Sequence, residues 1–130
     1  MFRKLVKLAL PGALFLIGMG VAGAQTSKPT VEGLNYCVNS FYDPKSYNWL
    51  AFQNTCNAAI NVRFVFNDAS AATGSMDLGP GRHSSTGRSA KEITDHGGMS
   101  YYACPQGYIA TDPNGNFIES RVDGYVCRQQ

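Results

Sequence analysis

The sequence predicts an all-β chain, a small antiparallel β-sandwich or barrel-like domain stapled by two disulfides. Three observations point there. Residues 59–67 alternate, with Ile60, Val62, Phe64 and Phe66 on one face and Asn61, Arg63 and Asn67 on the other. A period of two marks a half-buried strand. Short apolar stretches recur at regular spacing between glycine- and proline-rich turns, the rhythm of a sandwich or small barrel. No window of 11 or more residues keeps a helical apolar stripe, and the cysteines form an even set.

The elements follow in chain order. Arg3, Lys4 and Lys7 give a basic start, residues 8–21 are apolar, and Ala22-Gly23-Ala24 offers the small residues a signal peptidase reads. Residues 1–24 are therefore expected to be a cleaved secretory signal, which implies a secreted or periplasmic protein. The apolar stretch is short of the roughly 20 residues of a membrane span and contains Pro11 and glycines. No stable membrane insertion is expected after cleavage. Gln25 stands where a lipoprotein would need cysteine. Residues 25–33 are polar and expected to be flexible, and residues 34–130 to form a single β domain.

Cleavage reverses the charge. Three of the eleven basic residues and none of the nine acidic ones lie in the signal, leaving eight against nine, a net of −1. The remaining cations are scattered, with Arg82, Arg88 and Lys91 the only loose group. Nucleic acid, which demands a concentrated basic patch, is not an expected partner.

Residues 34–42 read as the first strand, stopped by Asp43-Pro44. Residues 47–53 are aromatic-rich and form the next, expected to pair as a hairpin with the 59–67 strand across residues 55–58. Val65 is the one apolar residue out of phase in that strand. Residues 74–78 form a short strand ended by Gly79-Pro80-Gly81, and residues 100–104 another ended by Pro105. Asp112-Pro113-Asn114-Gly115 is a turn with proline second and glycine fourth. It joins residues 108–110 to 117–118, and residues 124–127 close the chain.

Cys37, Cys56, Cys104 and Cys127 allow three pairings. With Asp43-Pro44-Lys45 as a tight turn, Cys37 falls opposite Phe52 and out of register with Cys56. The favoured pairing is then Cys37 with Cys127 and Cys56 with Cys104. Zinc is not expected, because structural zinc sites use close cysteine pairs and the nearest spacing here is 18 intervening residues. Asp112-x-Asn114-x-Asn116 echoes a calcium loop but lacks the glycine and the later glutamate. No metal or other cofactor is expected.

Residues 82–96 break the rhythm, a polar segment holding both histidines, with an edge strand expected near residues 92–94. Serine, histidine and aspartate coexist there, but no G-x-S-x-G elbow or spacing supports a triad. No catalytic residue is assigned and the chain is not expected to be an enzyme. Aromatics are the other resource. If Leu50 and Phe52 join the core, Tyr47 and Trp49 point outward, where such rings stack on sugars or anchor protein interfaces. Tyr101 and Tyr102 are adjacent, so one of them should also face away from the core. The candidate binding residues are Tyr47, Trp49, Arg82, His83, Arg88, His96 and Tyr102.

The function expected is a small exported, non-enzymatic binding module for an extracellular or periplasmic protein or glycan. The alternatives are a secreted inhibitor or toxin-like effector acting through residues 82–96 and, third, a small hydrolase. Self-association through edge strands is open to any such β domain.

Overall fold

The alternation in residues 59–67 produces the strand that organises the molecule, β4 (Ile60–Phe66). The computed structural model describes residues 28–68 and 73–130, so the expected signal at 1–24 lies outside the described residues. Among the described residues the other strands are β1 (Thr30–Val31), β2 (Val38–Asp43), β3 (Trp49–Asn54), β5 (Gly74–Leu78), β6 (His83–Ser85), β7 (Met99–Pro105), β8 (Tyr108–Thr111) and β9 (Val126–Gln129), with one short α-helix, α1 (Ala90–Asp95). They form three small antiparallel sheets of three strands each, ordered β1-β9-β8, β2-β3-β6 and β5-β4-β7. Thr30 and Val31, inside the stretch expected to be flexible, pair with Arg128 and Cys127.

The sheet β5-β4-β7 is covered on both faces. Ile60, Val62 and Phe64 of β4 and Ala103 of β7 meet Phe52 of β3 and Leu78 of β5 in a first core. The intervening residues, Val65 of β4 with Tyr102 and Cys104 of β7, meet Ala110, Ile118 and Cys127 in a second core. Neighbouring residues of one strand point to opposite faces, so two cores on alternate residues mean a sheet packed on either side. Val65 is out of phase because it belongs to the second core. Tyr101 and Tyr102 do not divide into one core and one surface residue. Tyr101 packs on Phe52 with ring centroids 5.0 Å apart, and Tyr102 is 5% exposed in the other core.

The expected hairpin between β3 and β4 does not form. β3 pairs with β2 and β6, while β4 pairs with β5 and β7. Residues 55–59 instead carry the chain across the first core, so that Phe52 faces Phe64 with ring centroids 5.8 Å apart. Asn54, wholly buried, holds this crossing. Its Nδ2 donates to the carbonyls of Ala58 (2.8 Å), Leu78 (3.0 Å) and Gly79 (3.2 Å), and its Oδ1 accepts from the Cys56 amide (2.9 Å).

The disulfides are Cys37–Cys56 and Cys104–Cys127, which overturns the pairing favoured from sequence. The error was in register. Asp43 pairs with Trp49, not with Ser46 three positions on. The connection holds a 3-10 turn at Pro44–Ser46, capped by the Asp43 carboxylate on the Lys45 amide, followed by Tyr47 and Asn48, both with φ of +57°. This longer loop shifts the ladder by three residues and brings Cys37 level with Thr55, whose amide donates to the Cys37 carbonyl. The 3-10 turn at Asn35–Cys37 takes Cys37 out of the pleat, and its Cα sits 5.2 Å from that of Cys56. That separation is normal for a bridge.

The turn after β8 forms as its residues predict. The Gly115 amide donates to the Asp112 carbonyl and Gly115 takes φ of +90°. Amides of Asn116 and Asn114 donate to the Asp112 carboxylate at 2.9 Å each, and these bonds, led by Asn116, hold its pKa below the ordinary value of 3.8. A depressed carboxylate contributes stability that is present above its unfolded pKa and lost as pH falls through the folded one. Melting curves should therefore show an acid limb below about pH 4. Asp112→Asn, which keeps an acceptor without a titrating group, should flatten that limb. An unchanged limb would assign it to other carboxylates.

Candidate functional site

The ladder fixes which side chains face outward on β2-β3-β6. Phe52 points into the first core, and its cross-strand partners Ser40 and Ser84 share that face. The opposite face therefore carries Asn39, Phe41 and Asp43 of β2, Trp49, Ala51 and Gln53 of β3, and His83 and Ser85 of β6. Leu50 and Phe52 do join the core, so Trp49 takes the outward position, half-buried. Ala51 has no exposed surface although it lies on this face, so the larger side chains around it roof the middle of the sheet.

These side chains form a connected row. Tyr47 packs on Trp49 with ring centroids 4.9 Å apart. Trp49 lies opposite Asp43, whose Oδ2 is 3.7 Å from His83 Nε2. His83 in turn meets Phe41 edge-on at 5.6 Å. Asn39 and Gln53 add amide donors and acceptors beside the row. Asp43 is 8% exposed and is held by the Lys45 amide as well, so it anchors the imidazole from below instead of presenting itself to a ligand.

Tyr47 is the least comfortable residue of the row. It is 80% exposed, yet its backbone is left-handed, a conformation glycine and asparagine take readily and tyrosine does not. Such a residue is strained by about 1–2 kcal/mol. An exposed aromatic ring kept in a strained turn, contributing no burial to the core, is a feature that folding alone does not call for.

The remaining sequence candidates scatter. Arg82 is exposed at the end of the same sheet. Arg88 and His96 belong to another place, around Phe66. The Arg88 guanidinium lies 5.4 Å over that ring and pairs with Glu92, and the His96 ring stacks on it at 4.4 Å and meets Asp68. Tyr102 does not reach this surface. It is buried in the second core with its hydroxyl accepting from the Val122 amide at 2.8 Å. Residues 92–94 form no edge strand but the middle of α1. Ser89 caps this helix by accepting from the Glu92 amide, and Ile93 anchors it in the interior. The Ser-x-x-Glu spacing of a capping box was readable there. Phe41 and Asp43 were missed because their face depends on the true register.

A second concavity lies apart from this row. An open cleft of about 600 Å3 runs between β1 and the 3-10 turn at Asn35–Cys37, lined by Glu32, Tyr36 and Tyr125 among others. Tyr125 closes its floor, bonding through its hydroxyl to Asn35 Oδ1 and the Ala103 carbonyl, and burial pushes that hydroxyl's pKa up. Gly33 is required beside it, since a Cβ there would overlap the Tyr125 hydroxyl.

On the other face of the molecule Arg63 is held by the Ile118 carbonyl at 2.7 Å and lies under Phe117, and burial lowers its pKa against the pull of Glu119. Among the described residues no group of three His, Cys, Asp or Glu side chains is placed to hold a metal ion, and no helix is long and apolar enough to cross a membrane. Both disulfides are consistent with an oxidising compartment. Compared with known proteins, the chain matches no family model, no curated protein and no solved structure.

Proposed function

We propose that this is an exported binding module that holds a glycan on the outer face of the β2-β3-β6 sheet. The observation that carries the reading is the Tyr47–Trp49 pair, with the Tyr47 ring presented to solvent at a backbone cost. Sugars offer apolar C–H faces and a rim of hydroxyls. A row of aromatic rings beside amide and imidazole groups matches both, and Phe41, Asn39, Gln53 and His83 extend the row. The small, cross-linked all-β frame supports the reading, because three sheets and two bridges keep such a flat face rigid and limit the ordering cost of binding.

Residues 82–96 do not favour the inhibitor reading, since β6 and α1 build most of that segment into the fold. The test uses Trp49, the only tryptophan in the chain, as its own reporter. Titration with cell-wall and extracellular polysaccharides should change its fluorescence at saturable concentrations. Tyr47→Gly should weaken that binding about tenfold, the loss of one stacking contact of about 1.4 kcal/mol. The same substitution relieves the left-handed strain, so the melting temperature should hold or rise. Unchanged affinity in the folded variant would sink the glycan face. Capture of a discrete protein, abolished by the same substitution, would replace glycan with protein as the ligand.

A further inference from the structure

The outer strand of the same sheet has an edge with open hydrogen-bonding groups, and the bonds already made show which groups these are. The Thr55 amide donates to the Cys37 carbonyl and the Asn48 amide to the Asp43 carbonyl. In an antiparallel ladder the backbone groups of alternate residues point to the same side. Asn39, Phe41 and Asp43 therefore turn their amides and carbonyls toward β3. Val38, Ser40 and Tyr42 turn theirs away from it. On the far side of β3 the same alternation holds, with Leu50 and Asn54 bonding toward β6. The Val38 amide is used on the Asn35 carbonyl, so Ser40 and Tyr42 are the residues with both groups open along the edge.

Natural edge strands are protected by shortness, lysine, proline or a bulge. β1 and β6 are short, at 2 and 3 residues, and β5 carries Asp77. β2 is 6 residues long and pairs with β3 without a bulge, and its single charge, Asp43, is buried. It also lies in the middle of the exposed aromatics. Of the five exposed large apolar side chains among the described residues, three are Tyr36, Tyr42 and Tyr47. Tyr36 lies five residues before Phe41 and Tyr47 six residues after it.

We propose that β2 is the contact strand of a symmetric dimer, in which two copies pair antiparallel about Phe41. That register matches the open groups. Ser40 of one copy meets Tyr42 of the other, and each pair exchanges two backbone bonds. A register centred on Ser40 would instead call on the Val38 amide, which is engaged. A twofold axis at Phe41 also brings Tyr36 of one copy level with Ser46 of the other, so an exposed tyrosine flanks the contact at each end. The contact is isologous, as a closed dimer requires. It joins two aromatic faces into one continuous sheet, which would give a long polymer two footholds.

Sedimentation velocity of the oxidised protein over a concentration series tests this. The expected result is a reversible monomer–dimer equilibrium, with the Ser40 and Tyr42 amides gaining hydrogen-exchange protection as the dimer fills. Ser40→Pro removes an amide that faces outward and leaves the β2–β3 ladder its bonds. Ser40→Lys places a charge on the edge. Each should raise the dimer dissociation constant at least about tenfold while the melting temperature of the monomer is kept. A protein that remains monomeric up to about 500 μM, where mass action would populate even a weak dimer, overturns the proposal. So does a dimer that both variants leave intact.

Discussion

Asn54→Asp is expected to cost about 4 kcal/mol of folding stability at pH 7, a large share of the roughly 5–15 kcal/mol that holds a domain together. The side chains have nearly the same shape, so packing is not the cause. The two N–H bonds of the Asn54 amide serve three carbonyls, those of Ala58, Leu78 and Gly79, at a site with no exposed surface. A carboxylate there faces those oxygens with no donor to give. Each deprived buried acceptor costs about 1–3 kcal/mol, and an unpaired buried charge costs more. The loss has a pH signature. Burial among carbonyls raises the folded pKa of the new carboxyl above its unfolded value. Its neutral form, which can donate, is then favoured in the fold, so the deficit should be least below about pH 4 and grow as pH rises through the folded pKa. Urea unfolding at pH 3.5 and pH 7 reads both numbers. A deficit under about 1 kcal/mol at pH 7, or one that does not depend on pH, would show that Asn54 is not the pin of the crossing between β3 and β4.

The reasons some of this was legible in the sequence, and some not, are local. β4 was readable because one of its faces lies on a core of large side chains, and period-two alternation is the imprint of that burial. The second core left a fainter imprint. Val65 out of phase and tyrosine at both 101 and 102 are what a strand buried on both faces looks like, yet taken singly each passes for an exception. The turn at Asp112 was readable because proline and glycine occupy the positions their backbones favour. The loop between β2 and β3 was not, because it turns on Tyr47 adopting a left-handed backbone that tyrosine seldom takes. That residue moved the register by three, and with it went the disulfide pairing and the place of Phe41 on the candidate face. Tyr47 and Trp49 were found from sequence as aromatics opposite Leu50 and Phe52. The grouping of His83 with Phe41 and Asp43 needs the true ladder, and Arg88 and His96 belong elsewhere because α1 carries the chain to Phe66.

The two bridges are expected to differ in worth, with Cys104→Ala/Cys127→Ala costing about 5 kcal/mol and Cys37→Ala/Cys56→Ala about 4 kcal/mol. Loop entropy does not separate them. Sequence separations of 23 and 19 residues give about 3 kcal/mol each, within roughly 0.2 of one another. The surroundings do. Cys104 and Cys127 are both without exposed surface in the second core, so truncation also empties packed space, at roughly 1 kcal/mol per lost sulfur. Cys37 is likewise buried, in the first core, but Cys56 is half-exposed in the crossing loop, where water fills the gap, so that bridge adds only one such loss.

The bridges also tie different things. Cys37–Cys56 closes the open end of the β2–β3 hairpin, which a six-residue ladder already holds. Cys104–Cys127 links β7 of the central sheet to β9 of the β1-β9-β8 sheet, and β9 pairs with both its neighbours. Its loss should loosen that sheet ahead of the rest, seen as faster hydrogen exchange in β8 and β9 while β4 stays protected. Tryptic mapping without reductant checks the pairing first. Cleavage after Lys45 and Arg121 separates the partners, so each bridge should appear as two linked peptides. A linked peptide joining Cys37 to Cys127 would contradict the fold. Equal losses from the two double substitutions would mean that the second core relaxes around the missing sulfurs, and that burial does not separate the two bridges.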